Sequence, residues 1–141
     1  MHKIILAGES SILIYFGDKI DNSLPKNIAN FANALKNQFS DVVIDLTPSY
    51  TSLLVSYDLS KASYFKFSAD VQAILDGFEF SDSNQQSNLI HIPVYYGFET
   101  GLDLERLLAE KNISLDEFIQ LHSSNEYLVH AIGFSPVFAF L

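Results

Sequence analysis

The sequence predicts an α+β fold, an antiparallel or mixed sheet with two helices on one face. Three observations carry this reading. Short apolar runs bounded by turn residues alternate with stretches of helical periodicity, in the order β-β-α-β-β-α-β and then α-α-β. Dropping one early strand leaves β-α-β-β-α-β, the order of a ferredoxin-like split unit. Apolar residues make up 48% of the 141-residue chain and charged residues only 18%, enough apolar surface to build a core.

The elements follow in order. Ile4 to Ala7 and Ile12 to Phe16 are apolar runs separated by Gly8-Glu9-Ser10-Ser11, the pattern of a hairpin. The second run lacks polar alternation, so a strand covered on both faces is expected. In NSLPKNIANFANALKNQFS, Ser23 is expected to cap a helix, Pro25 suits its first turn, and Ile28, Phe31, Ala32, Leu35 and Phe39 form its apolar stripe. DVVIDL and SLLVSYD, joined by TPSY, form a second hairpin. A second helix lies in KASYFKFSADVQAILDGF, with Phe67, Val71, Ile74, Leu75 and Phe78 on one side and Gly77 near its end. Ser81 to Asn88 contains no apolar residue and reads as a linker. LIHIPV is expected as a strand and Asp103 to Lys111 as a helix. Ser114 with Glu117 is a capping box opening another helix, with Leu115, Phe118, Ile119 and Leu121 on its apolar side. EYLVHAI is expected as the last strand, before the apolar run HAIGFSPVFAFL. The expected organisation is a ferredoxin-like lobe with an extra N-terminal strand at 1–80, a linker at 81–88 and a small α-α-β lobe at 89–141.

Composition narrows the function. The net charge of −9 repels phosphates, and the basic residues are spread singly, so neither nucleic acid nor an anionic membrane is an expected partner. The N-terminal apolar piece is broken at Gly8-Glu9-Ser10-Ser11, too early for a spanning helix of about 20 residues. A cytoplasmic location is expected. There is no cysteine, so disulfides, thiol nucleophiles and zinc–thiolate sites are excluded. No histidine pair has the spacing of a helical metal site, and no metal is expected. Neither GxGxxG nor GxxxxGK[ST] occurs. Glu99, Asp103 and Glu105 are read as first-turn partners of a helix dipole. His122 with Glu126 and Tyr127 is the least ordinary local grouping. Phe134, Phe138 and Phe140 alternate with smaller residues, and we expect them to form a contact surface for another domain or another copy of the chain.

Four blocks, in order, resemble a known family: GESSILIYFG, PSYTSLLVSYD, IPVYYGFETGLDL and LHSSNEYLVHAIGFSPVFAFL. They are similar to the signatures of a group that unites kinase inhibitors, allophanate hydrolase subunit 1 and the B-type subunit of 5-oxoprolinase. This group also resembles part of the carboxyltransferase region of biotin-dependent urea carboxylases. The resemblance implies a component, inactive alone, of an ATP-dependent amide hydrolase of 5-oxoprolinase or allophanate hydrolase type. It would work with a homologous second subunit, with ATP used by the complex and no cofactor bound by this chain. The alternative it implies is a regulator that binds and inhibits a sensor histidine kinase. It further implies a C-terminal cyclophilin-like barrel beyond the portion given, approached through the GF-x-PGF-x-YL signature.

Carried over by position, His122 is the implied catalytic proton carrier or substrate hydrogen-bonder, because imidazole titrates near neutrality. Tyr96, Gly97, Asp103, Tyr127, Gly133, Phe134, Pro136 and Phe138 are the implied substrate-binding residues, and Gly101 also matches. Two positions depart from the family pattern. Val137 stands where the family has glycine, and Phe140 where it has tyrosine. Valine does not adopt positive φ easily, and phenylalanine lacks the hydroxyl.

Overall fold

The computed structural model describes residues 2–81, 88–133, 135–136 and 138–141. They divide into two compact units. The first comprises 1–85 and 128–141, and the second 86–127. Residues 128–141, expected with the helices of the second lobe, therefore cluster with the first unit. Most of the expected linker, together with Phe134 and Val137, lies outside the described residues.

The first unit is built on a four-stranded antiparallel sheet. Its strands are β1 (Lys3–Gly8), β2 (Ser11–Tyr15), β3 (Val43–Pro48) and β4 (Ser52–Tyr57), in the order β1-β2-β4-β3. Two helices accompany them, α1 (Leu24–Gln38) and α2 (Tyr64–Gly77). The connection β2-α1-β3 leaves room between its two strands, and β4 fills it, which is the split arrangement expected. The place of the last ferredoxin-like strand belongs to β1, paired to β2 through Ile4–Ile14 and Leu6–Ile12. The expected strand at LIHIPV does not form. Residues 89–94 are irregular and exposed, because the N-terminal hairpin already satisfies the sheet edge that this strand would have joined.

Burial on β2 and β4 alternates strictly. Ile12 and Ile14 of β2 and Leu53, Val55 and Tyr57 of β4 are fully buried, while Leu13, Tyr15 and Leu54 are half-buried. This corrects the expectation of a strand covered on both faces. The helices cover one face, so side chains pointing the other way keep part of their surface in water. On the covered face the sheet residues meet Ile28, Phe31 and Leu35 of α1 and Phe67, Val71 and Leu75 of α2. Edge-to-face aromatic contacts run through this core, Phe31 on Phe78 at 5.1 Å and Phe39 on Phe67 at 5.4 Å.

Local chemistry sets the helix ends. Ser23 does not cap α1. Its N–H and its hydroxyl both donate to Asp21 Oδ1, at 2.8 and 2.6 Å, and its backbone is already helical. Asp21 thus organises the turn, as a short carboxylate can two residues upstream. Ser63 does cap α2, accepting from the Lys66 N–H. Among the described residues, Asn27 of α1 is the buried polar residue of this core. Its Nδ2 donates to the Ser81 carbonyl at 3.1 Å, and its Oδ1 accepts from the Ser81 N–H at 3.0 Å. One amide side chain therefore pairs with both polar groups of a backbone residue 54 positions away.

The expected strand EYLVHAI is reduced to β5 (Ala131–Ile132), which pairs with β6 (Ala139–Phe140) in a short hairpin. Tyr50, in the turn before β4, joins this hairpin to the rest of the unit. Its ring meets His130 at 5.5 Å and Phe140 at 6.3 Å, and its hydroxyl donates to the Leu141 carbonyl at 3.3 Å. Phe138 packs on Phe140 at 5.0 Å and stays 48% exposed.

The second unit holds α3 (Leu104–Lys111) and α4 (Leu115–Ser123). Asn112 ends α3 in the left-handed conformation (φ 52°), and the Ile113 N–H donates to the Leu108 carbonyl, a helix stop that the short polar Asn tolerates. No helix among the described residues is long and apolar enough to cross a membrane.

Candidate functional site

The capping box of α4 fixes where its side chains fall. Ser114 Oγ accepts from the Glu117 N–H, while the Glu117 carboxylate accepts from both the N–H and the hydroxyl of Ser114 at 2.8 Å. These bonds favour the charged carboxylate and hold Glu117 below the usual glutamate range. With the helix started at Leu115, Phe118 and His122 stand one turn apart on the same face. Their rings are parallel to within 1°, with centroids 6.1 Å apart.

The C-terminal end of α4 is finished by its own downstream residues. Asn125 Nδ2 donates to the Leu121 carbonyl at 2.5 Å, and the Tyr127 hydroxyl donates to the His122 carbonyl at 3.2 Å. Both occupy carbonyls that a helix end leaves without internal partners. The Tyr127 ring reaches the His122 imidazole at 5.8 Å.

Tyr96 approaches from the irregular segment before α3. Its hydroxyl and His122 Nδ1 are 2.5 Å apart, a short hydrogen bond. Its ring stands edge-on to His122 (5.7 Å) and to Phe118 (6.0 Å). Tyr96, Phe118, His122 and Tyr127 thus form one cluster within the second unit. His122 is exposed, and Tyr96 takes up only its Nδ1 among the described hydrogen bonds.

An open groove continues from this cluster, lined by Tyr95, Tyr96, Gly97, Thr100, Asp103 and Phe118 among others. The Gly97 carbonyl accepts from the N–H of Thr100, the N–H of Gly101 and the hydroxyl of Thr100. A Cβ on Gly97 would fall 2.5 Å from the Tyr95 ring and 2.6 Å from the Glu99 carboxylate. That space is taken because the Tyr95 hydroxyl donates to Glu99 Oε1 at 2.6 Å. The same bond raises the Tyr95 pKa and lowers that of Glu99. Asp103 adds a second carboxylate, with Arg106 Nη2 at 3.3 Å from its Oδ1. Asp103 makes no side-chain cap on α3. Among the described residues, no group of three or more His, Asp or Glu side chains is arranged to hold a metal ion.

A family model described as carboxyltransferase domain, subdomain C and D, matches residues 2–141. The chain belongs to this family. The resemblance read from the four sequence blocks is borne out by that match. The carboxyltransferase-domain chain is 30% identical to the B-type 5-oxoprolinase subunit of Bacillus subtilis strain 168, over 99% of its own length and 62% of that relative. It is 43% identical to the corresponding 5-oxoprolinase subunit of Escherichia coli O157:H7 over 56 residues, which is 40% of the chain and 26% of that relative. The chain therefore spans less than two thirds of the length of these curated relatives. Among solved structures, TTHA0988 superposes with a TM-score of 0.71 at 24% identity, over 92% of this chain and 24% of that one. That likeness concerns the fold alone.

The sequence-derived site residues of this carboxyltransferase-domain chain fall into two sets. Tyr96 and Tyr127 each touch His122, and Gly97 and Asp103 line the adjoining groove. Gly133, Pro136 and Phe138 sit in the first unit, in the turn between β5 and β6. There the Gly133 N–H donates to the Phe138 carbonyl at 3.0 Å, and the Phe138 N–H donates to the Ser135 carbonyl at 3.1 Å. Phe134 lies outside the described residues. In the sequence alone, Phe118 is only part of an apolar stripe. Its spacing of four from His122 on a capped helix is the signal that it shares the histidine's surface. The Tyr95–Glu99 pair carries no comparable signal, because its partners lie in irregular backbone.

Proposed function

We propose that this chain supplies part of the reaction site of a 5-oxoprolinase-type hydrolase, acting with a homologous second subunit in a complex that uses ATP. The reading is carried by the identity to the Bacillus subtilis 5-oxoprolinase subunit, which runs through 99% of the chain. The geometry supports a role for His122. Opening a cyclic amide requires a group at the carbonyl or the leaving nitrogen that can donate or shuttle a proton. Exposed His122 has its Nδ1 engaged by Tyr96 and presents Nε2.

The charge of the groove says what else is needed. Asp103 is the acidic residue of the groove lining, and Arg106 is already paired with it. 5-Oxoproline is a carboxylate, and the groove lining holds no basic residue to receive it. The basic group that receives it is therefore expected from the partner, so the chain alone should be inactive. Gly97 and Asp103 would shape the groove, and Tyr127 would steady His122.

The test is reconstitution. The natural gene product carrying these residues is purified with its partner subunits, and glutamate release from 5-oxoproline is followed with and without ATP. ATP-dependent release that needs all subunits supports the proposal. No release, together with inhibition of a histidine kinase's autophosphorylation, would support the regulatory alternative instead.

A further inference from the structure

We propose that Tyr96 is a positioning residue that fixes His122 in one tautomer, with the proton on Nε2, so that His122 offers a hydrogen-bond donor to a carbonyl or amide oxygen. The inference rests on the reading of His122 as a substrate-contacting group and deepens it by naming the atom and the kind of acceptor.

The starting point is the 2.5 Å contact between the Tyr96 hydroxyl and His122 Nδ1. A neutral imidazole has one N–H and one lone pair, and the hydrogen bond made by one ring nitrogen decides which is which. A phenol O–H is more acidic than an imidazole N–H, and the imidazole lone pair is a better acceptor than a phenol oxygen. The favoured pairing therefore has Tyr96 donating to Nδ1, which leaves the proton on Nε2. Three aromatic neighbours frame the ring in this orientation. Phe118 lies parallel to it, the edge of Tyr96 faces it, and Tyr127 flanks it at 5.8 Å. The Tyr127 hydroxyl, bound to the His122 carbonyl at 3.2 Å, also steadies the backbone from which the ring projects.

The consequence concerns the ligand. With Nδ1 committed, a neutral His122 has no free lone pair for use as a base at Nε2. It recognises acceptors, and beside a groove whose charged lining residue is Asp103 the matching acceptor is an uncharged carbonyl or amide oxygen. A lactam oxygen is of this class.

The tautomer can be read without turnover, which keeps this proposal separable from the hydrolase reading. Long-range proton–nitrogen correlation spectra of the nitrogen-15-labelled chain are recorded above the imidazole titration range. We expect a protonated Nε2 and an unprotonated, hydrogen-bonded Nδ1 for His122. Tyr96→Phe should abolish that single state and give an exchange-averaged mixture. Tyr127→Phe, which removes only the bond to the backbone carbonyl, should leave the tautomer unchanged, and it serves as the control for any general loosening of the unit. A protonated Nδ1 in the intact chain, or an unchanged tautomer in Tyr96→Phe, would overturn the proposal even if the reconstituted complex released glutamate.

Discussion

Asn27 shows how much one side chain can contribute when it is buried with both of its polar ends paired. Its two bonds to Ser81 hold the backbone that leaves α2 against α1. Asn27→Ala would leave the N–H and carbonyl of Ser81 without these partners in a half-buried place. We expect a loss of about 1–3 kcal/mol, the usual range for an abandoned buried polar group, measurable by chemical denaturation. Asn27→Asp should lose as much or more, because a carboxylate can accept from the Ser81 N–H but faces its carbonyl without a proton to give. Phe67 makes the apolar counterpart. It is 1% exposed and meets Tyr57 at 4.6 Å and Phe39 at 5.4 Å. Phe67→Ala should cost about 3–5 kcal/mol. Set against a typical total of about 5–15 kcal/mol, that brings the first unit close to unfolding. A thermal melt of the variant would show a lowered or lost transition.

At the scale of elements, the capping box of α4 links sequence, electrostatics and the site. Ser114→Ala should cost about 1 kcal/mol of helix stability and fray the turn that sets the phase of Phe118 and His122. The pH dependence follows from Glu117. Its carboxylate is held below the ordinary glutamate range in the fold, by the N–H and hydroxyl of Ser114. The folded state therefore binds that proton less readily than the unfolded chain does. The capping contribution is fully present above the ordinary glutamate range and is lost as pH falls through the depressed value. The protection of the Ser114 amide relative to its intrinsic exchange rate should fall over that acid interval in the wild type, and Glu117→Gln should remove this pH dependence.

The elements also mark where the sequence is legible. Both helices of the first unit and both hairpins of the main sheet are visible in it, because apolar spacing of 3.6 or 2 and turn residues bound them. The capping box of α4 is visible from Ser114 and Glu117. The strand at LIHIPV fails because apolar alternation cannot say whether a sheet edge is free, and β1 has taken that edge. Ser23 fails as a cap because the nearby Asp21 is the better acceptor for the turn. His122 enters through a family signature, whereas its bond to Tyr96 joins residues 26 positions apart and leaves no periodic trace.

At the scale of the whole molecule, the chain is two compact units with the family's motif residues divided between them. Tyr96, Gly97, Asp103, His122 and Tyr127 belong to one unit, and Gly133, Pro136 and Phe138 to the other. Within the first unit, Phe138 at 48% and Leu141 at 59% exposure leave an apolar edge beside the Tyr50 anchor. If the proposed subunit role holds, Phe138 is a residue expected to meet the partner. Phe138→Ser should weaken association with the partner while leaving the melting transition within about 0.5 kcal/mol of wild type, as expected for an exposed position. Size-exclusion chromatography with light scattering would read the association.

The most direct measurement is the rate of ATP-dependent glutamate release from 5-oxoproline by the assembled subunits, compared between wild type and His122→Ala. If His122 meets the substrate carbonyl, the variant should assemble normally and lose on the order of 100-fold or more in kcat, as when one preorganised donor is removed. Wild-type turnover by a fully assembled His122→Ala complex, or no turnover by the wild-type complex at all, would contradict the assignment.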